Sequence, residues 1–251
     1  MILVTKDQFL GCYQNRKLAE HNLHKRSYKL PIKSSRELAG IVADILTDGH
    51  LGKNMIIYYS KNTEELESFA NRIQKLFSVN YSIRDVTPDT PAKMVVIFDR
   101  NLMKILNLCG VPTGPKVLVP YKFPDWIQNS SNAVVAEFLS RLFGNDGCIT
   151  FNGNRIEIKL KQHKAEHILD SGKFFMNEIR SLLVRFDIKS TNVCASGYTL
   201  RKDGIKTIGL GFEIQGTRKN LKNIENFHTY INFSNLEKKH KLEKSLKTLR
   251  L

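Results

Sequence analysis

The chain has 251 residues, enough for one large domain or two small ones with a sizeable core in either case, and its 41% apolar content is ordinary for a globular protein. Its 39 Lys and Arg against 24 Asp and Glu give a formal charge of +15, which points to a polyanionic partner, most simply nucleic acid. The four scattered cysteines (Cys12, Cys109, Cys148, Cys194) argue against a zinc site or disulfide framework, and the lack of a signal peptide or of an apolar run near the roughly 20 residues that span a bilayer leads us to expect no membrane partner, no secretion, and a reducing compartment, cytoplasmic or organellar matrix.

Residues 1–34 read as a basic N-terminal arm. Arg16, Lys17, Lys25, Arg26, Lys29 and Lys33 stand there against the single acid Glu20, the pattern either of a helical arm that touches phosphates or of a solvated surface segment. Residues 35–110 form a first half. Ser34 and Glu37 have capping-box spacing ahead of Leu38, Ile41, Val42, Ile45 and Leu46, and Gly49 closes the predicted helix. Met55 to Tyr59 is rich in strand formers, and Asn62-Thr63-Glu64-Glu65 opens a second helix with Leu66, Phe69, Ile73 and Leu76 at helical spacing. Val79 to Ile83 and Met94 to Phe98 read as strands, and Asn101 to Leu108 as a third helix.

The stretch Gly110 to Asn132 is proline-rich, and residues 111–131 read as a linker in which Tyr121, Phe123, Pro124 and Trp126 supply packing. Residues 132–251 then repeat the order. Val134 to Asn145 is a predicted helix, Cys148 to Phe151 and Arg155 to Gln162 are predicted strands, and Lys164 to Phe186 contains a helix. Asn192 to Leu200 and Lys206 to Gln215 form a hairpin across Arg201-Lys202-Asp203-Gly204, and Glu237 to Leu251 is a lysine-rich helix. The expected fold is α+β: two pseudo-symmetric halves, each with a β-sheet saddle, packed through two equivalent helices in a monomer.

Those two helices carry the most informative pattern. Ile41-Val42-Ala43-Asp44-Ile45-Leu46-Thr47-Asp48-Gly49 and Leu139-Ser140-Arg141-Leu142-Phe143-Gly144-Asn145-Asp146-Gly147 are apolar helical stretches, 98 positions apart, that end in Asp-Gly and lead into a strand. An acid at the C-terminal end of a helix opposes the helix dipole, so two of them in matching places call for a cation, most simply a divalent metal. Small residues on both helices (Gly40, Ala43; Ala136, Ser140, Gly144) would let them pack closely and bring Asp48 and Asp146 together. Two such carboxylates on a polyanion-binding scaffold suit metal-assisted phosphodiester cleavage.

The segment 155–162 alternates strictly, Arg155, Glu157, Lys159 and Lys161 facing one way and Ile156, Ile158 and Leu160 the other, so its charged face can lie in a DNA major groove or simply face solvent. His163 and His167, four apart on an expected helix face, lack the glutamate of an H-E-x-x-H zinc site.

The paired motif resembles the LAGLIDADG motif of homing endonucleases in its two-motif, single-chain form, over about residues 35 to 250. Asp48 and Asp146 stand at the metal-binding acid and Gly49 and Gly147 at the final glycine; Ala43 and Arg141 replace the motif's first glycine, and Leu46 and Gly144 its earlier acid. The resemblance implies a long double-stranded DNA target bound by the two sheets, with both strands cut to leave 3′ overhangs. It implies metal at Asp48 with Gly49 and at Asp146 with Gly147. Mg²⁺ is the expected cofactor, with Mn²⁺ substituting and Ca²⁺ supporting binding without cleavage. Lys61, Lys161 and Gln162, with Ser60 beside them, are the candidates to assist catalysis. Lys93 and Lys206 are alternatives. Arg155, Glu157, Lys159, Lys161, Lys93, Arg201, Lys202 and Lys206 are the expected DNA contacts. The start at Met1 and the lack of a His-Asn terminus favour an intron-encoded or free-standing enzyme over an intein. The alternatives are an intron-RNA-binding maturase on the same scaffold and a cleavage-inactive DNA-binding protein.

Overall fold

Extended pairing of the first residues with a later strand turns the basic leader into a folded module. In the computed structural model, which describes residues 1–26 and 28–250, β1 (Ile2–Val4) pairs antiparallel with β2 (Ile32–Lys33) around α1 (Lys6–Gly11) and α2 (Arg16–Arg26). The side chains of Lys25 and Arg26, counted in the basic-arm reading, lie outside the described residues, as do Ser27 and Leu251. Thr5 and Gln8 close a reciprocal capping box on α1, and Val4, Phe9, Leu10 and Ala19 are buried.

Helix α3 (Arg36–Leu46) is capped by Ser35, whose hydroxyl accepts from the Leu38 N–H, and not by Ser34 as the spacing suggested. Ser34 is already committed to the first residue, its hydroxyl accepting from the Met1 N-terminus at 3.1 Å and its N–H donating to Met1 O at 2.9 Å. The helix ends before Gly49, which opens β3 (Gly49–Leu51); β4 (Ile56–Ser60) and α4 (Thr63–Phe77, capped by Asn62) follow. Ser78 closes α4 in the left-handed region at φ 51°, and Val79 is buried directly after it. The strand expected from Val79 therefore starts later, as β5 (Ser82–Asp85), which precedes β6 (Lys93–Ile97) and α5 (Arg100–Leu108). Asp99 caps α5 by accepting from the Asn101 and Leu102 N–H groups. The N-terminal module packs on α5: Tyr13 OH donates to Asn101, and Lys104 Nζ donates to Cys12 O at 2.5 Å.

After a short α6 (Asp125–Gln128), the same order returns. It runs α7 (Asn132–Asp146), β7 (Gly147–Phe151), β8 (Arg155–Ala165), α8 (Leu169–Val184), β9 (Cys194–Leu200), β10 (Lys206–Thr217), α9 (Lys222–Asn226) and α10 (Leu236–Arg250). Each half builds one four-stranded antiparallel sheet of the same topology, β3-β4-β6-β5 and β7-β8-β10-β9. The fold is α+β with two equivalent sheets. The chain divides into two compact units: residues 1–114 with 124–134, and residues 115–123 with 135–251. The stretch read as a linker is shared between them. In the first unit Trp126 Nε1 donates to Cys109 O at 2.9 Å; in the second, Ala165 N–H donates to Val117 O at 2.8 Å.

Nine consecutive residues of α3, Leu38 to Leu46, are buried, so the helix carries no solvent face over most of its length. Only Asp44 among them is charged, and it pairs with Arg72 of α4, the two side chains being 0% and 11% exposed. Arg72 also donates to Ser68 Oγ at 2.8 Å. Removing one partner strands a buried charge, whereas removing both leaves an apolar contact. Arg72→Met is therefore expected to cost about 3–5 kcal/mol in urea unfolding, and Asp44→Leu with Arg72→Met to recover most of that loss. Equal losses in the single and double variants would contradict the assignment of the pair.

Candidate active site in the second unit

Helix α7 ends on Asp146, and Gly147 turns the chain at once into β7. A Cβ at Gly147 would fall 2.3 Å from Phe143 O, and one at Gly49 would fall 2.5 Å from Ile45 Cα. Both motif glycines are thus required by the passage of the returning strand against the last helical turn. The last carbonyls of a helix lack helical partners and carry its negative pole. Lys238 of α10 donates to two of them, Gly144 O at 2.6 Å and Asn145 O at 2.9 Å. Gly144 lets this segment come close, since a Cβ there would meet Ser234 Oγ at 2.0 Å. The sequence called for a cation at this helix end, and the chain itself supplies one in Lys238.

Asp146 is half-buried, and protein atoms crowd its carboxyl group, which raises its pKa above the ordinary carboxylate range. A hydrogen bond from Gln162 Nε2 at 3.0 Å and the charges of Lys116, Lys238 and Lys164 oppose that rise. Gln162 reaches the acid because it lies on the inward side of β8, and Lys164, two residues on, shares that side. The Lys164 ammonium donates to Lys116 O at 3.0 Å and to Tyr121 OH at 2.8 Å, and sits 4.1 Å from the centroid of the Tyr121 ring. Burial, then repulsion from Lys116, lowers its pKa to about 7 against the pull of Asp146. Tyr121 is raised by burial and by the nearby acid. Its backbone O accepts from Ser171 Oγ at 3.1 Å, which fixes the 115–123 segment beside α8. Sequence reasoning did not single out Lys116, Lys164, Lys238 or the site role of Tyr121.

Strand register defines the corresponding places in the first unit. Gly49 pairs with Tyr58 and Gly147 with Leu160, so Ser60 corresponds to Gln162 and Asn62 to Lys164. There the chemistry differs. Asp48 is exposed, Ser60 Oγ donates to Glu65 Oε2 at 2.6 Å, and Asn62 caps α4. Lys61 is exposed just beyond the end of β4, and Lys93 is exposed at the start of β6.

The remaining candidates lie on the outward face of the second sheet or on its hairpin. Lys161 is exposed there, on the side of β8 away from Gln162, with its stem over Gly209, where a Cβ would meet Lys161 Cε at 2.2 Å. Arg155 pairs with Glu157 at 2.8 Å and approaches Glu213 at 3.8 Å, while Lys159 pairs with both acids at 3.0 Å. Arg201 is paired with Asp203, Lys202 is exposed, and Lys206 pairs with Glu166 at 2.9 Å. The histidine pair does not share a helix: His163 is on β8 and His167 lies in the 3₁₀ turn Glu166–Ile168.

Gln162 Oε1 is buried without a hydrogen-bond partner, on the amide that holds Asp146. An amide oxygen and a carboxylate are hard donors of the kind Mg²⁺ takes. Among the described residues no group of three or more His, Cys, Asp or Glu could hold a metal, so an ion here would draw its other ligands from water and a phosphate, as Mg²⁺ commonly does. The surrounding lysines suit the phosphate.

No family model matches the chain. It is similar in sequence to the tRNA-splicing ligase RtcB of Methanopyrus kandleri, 27% identical over 183 residues that make up 64% of this chain and 18% of that protein. The chain thus spans less than a fifth of the length of that curated relative. Its structural neighbours include variants of the homing endonuclease I-DmoI, at 11% identity and a TM-score of 0.46 over 80% of this chain and 92% of that one. They also include the N-terminal LAGLIDADG domain of DUF199/WhiA, at 16% identity and a TM-score of 0.44 over 88% of this chain and 94% of that one.

The buried lysine makes stability depend on pH. The unfolded chain keeps the Lys164 proton up to the ordinary lysine pKa of about 10.4, whereas the folded chain releases it near 7. Unfolding therefore takes up a proton between these values, and stability rises with pH across that window. Asp146, with its raised pKa, acts at lower pH and in the opposite sense. In EDTA, Lys164→Met is expected to be more stable than the parent at pH 6 by on the order of 2–4 kcal/mol and to lose most of the slope between pH 7 and 10 in denaturant titrations. An unchanged slope would show that Lys164 is not buried as a charge.

Proposed function

We propose that the protein is a site-specific double-strand DNA endonuclease of the LAGLIDADG homing type, with Mg²⁺ held by Asp48 in one unit and by Asp146 in the other. The observation that carries this reading is the end of α7, where one half-buried carboxylate is braced by Gln162 and faced by Lys116, Lys164 and Lys238. One carboxylate among three lysines leaves a surplus of positive charge suited to a phosphodiester, while the carboxylate and the amide oxygen suit its divalent cation. When bound, the metal would polarise the phosphate and lower the pKa of the attacking water.

The chain's own part is positioning and proton handling. Gln162 holds the Asp146 carboxylate through its amide N–H. Lys116 and Lys238 offset charge on the phosphate. Lys164 Nζ, fixed by Tyr121 OH and Lys116 O, is close to half-protonated near neutrality, so it can hold a proton there and deliver it to a departing oxygen. The outward face of the second sheet, Arg155, Glu157, Lys159 and Lys161 with Gly209 and Gly211 opposite, would contact bases in the major groove. Ligase activity is not adopted from the relative, because the match takes in less than a fifth of that protein.

The test is cleavage of a DNA pool that contains the uninterrupted insertion site of the protein's own gene, with Mg²⁺, Ca²⁺ or EDTA. Double-strand cuts at one long site are expected with Mg²⁺ alone, and both Asp48→Asn and Asp146→Asn are expected to abolish them. Because among the described residues only the second unit has a buried lysine, Lys164→Met should slow one strand about 10²–10⁴-fold with DNA affinity unchanged, so that nicked product accumulates. Equal slowing of both strands would remove Lys164 from the chemistry. Tight binding of flanking intron RNA, with no DNA cut under any metal, would replace the endonuclease by the maturase reading.

A further inference from the structure

A second concentration of positive charge lies in the first unit. A cleft of about 450 Å³ opens between the N-terminal module, the turn after β3 and the helix α5, lined by Cys12, Gly52, Lys53, Arg100, Lys104 and Thr113 among others. Among the described residues no carboxylate lines it. Lys53 and Arg100 are exposed, and among the described residues neither they nor Lys104 make an ion pair. Three like charges around one cleft repel each other, and with so many acids elsewhere in the sequence the absence of one here is informative.

Lys104 is fixed in place before any ligand arrives. Its Nζ donates to Cys12 O and lies 4.2 Å from the centroid of the Tyr13 ring. An ammonium has three donors, so this arrangement immobilises the group while leaving donors for an incoming anion. Immobilised cations lose less entropy on binding than cations on free stems. Asn107 Nδ2 donates to Val111 O at 3.0 Å and holds the chain that carries Thr113 against α5. Every charged group on the cleft is a cation, and its size suits a phosphate with the sugar attached to it.

We infer that this cleft binds a backbone phosphate of nucleic acid, held by Lys53, Arg100 and Lys104, at a place separate from the Asp-Gly motifs. It rests on the nucleic-acid reading above for the source of the phosphate, but the cleft's chemistry is tested independently of it.

The experiment has two arms. In the first, amide spectra of the isotope-labelled full chain are followed while inorganic phosphate is added. Saturable shifts are expected at Gly52, Lys53, Arg100 and Thr113, and they should vanish in Lys53→Gln with Arg100→Gln. That variant leaves Lys104 and its contact with Cys12 intact, so its melting temperature should match the parent's. In the second arm, affinity for a duplex of arbitrary sequence is measured across salt concentrations. The log–log slope should fall by about one in the same variant, since the cleft neutralises one phosphate. Lys244→Gln with Lys247→Gln, which removes the same charge from α10, should change the slope by well under one unit. Equal changes in the two variants, or phosphate shifts absent from these amides, would overturn the proposal. A parent chain that binds no duplex at any salt would overturn the nucleic-acid reading, and the phosphate arm would still decide the cleft.

Discussion

Asp146 stands where a helix dipole and a crowded protein environment both oppose negative charge, and much of the second unit's polar architecture follows from that placement. Lys238 brings α10 to the helix end, Gln162 brings β8, and Lys116 with Tyr121 brings the segment before α6. Each contact comes from a different part of the chain. A carboxylate that needed only neutralising would be served by one ion pair. The second unit instead distributes three lysines around it and holds it with the Gln162 amide.

The first unit solves its charge problem differently. The buried acid of its motif helix is Asp44, one turn before the motif acid, and Arg72 neutralises it within the unit. Asp48 stays exposed. The difference traces to strand length. β4 has 5 residues and ends before the position that matches Lys164, whereas β8 has 11 and stays paired with β10 to its last residue. Those extra residues carry a lysine into the interior beside Gln162. Equal topology with unequal side chains is what duplication followed by divergence produces.

Much of this architecture is legible in the order of the residues. Helical spacing locates α3, α4, α7 and α8, because long apolar periodicities admit few alternatives. Alternation places Arg155 to Lys161 on two faces of β8, with the burial that pattern implies. The same alternation, continued past Gln162, puts Lys164 on the inward side, so a signal exists for the buried lysine. It is obscured because a lysine is expected to end a buried face, not to sit within one. Tyr121 and Lys116 give no signal, since a proline-rich segment has no period from which direction can be read. The exchange of Ser34 for Ser35 at the α3 cap depends on Met1, more than thirty residues away, which no local pattern can contain.

The outward face of the second sheet bears on how a duplex would be recognised. Arg155, Lys159 and Lys161 carry three positive charges there, and Glu157 and Glu213 return two of them through ion pairs. A face so nearly neutral contributes little to the salt-dependent attraction of a polyanion, which scales with the phosphates neutralised. Its pairs must open or rotate before any base edge is read, and an open Glu157 or Glu213 would accept only from a donor such as a cytosine amine. A wrong base leaves a carboxylate or a guanidinium desolvated with no partner, which costs more than a missing contact. Affinity and specificity for a duplex would therefore be carried by different surfaces. In the proposed endonuclease, unpaired cations away from this face, with the overall charge of +15, would supply the attraction, and the paired charges on β8 and β10 would supply the discrimination.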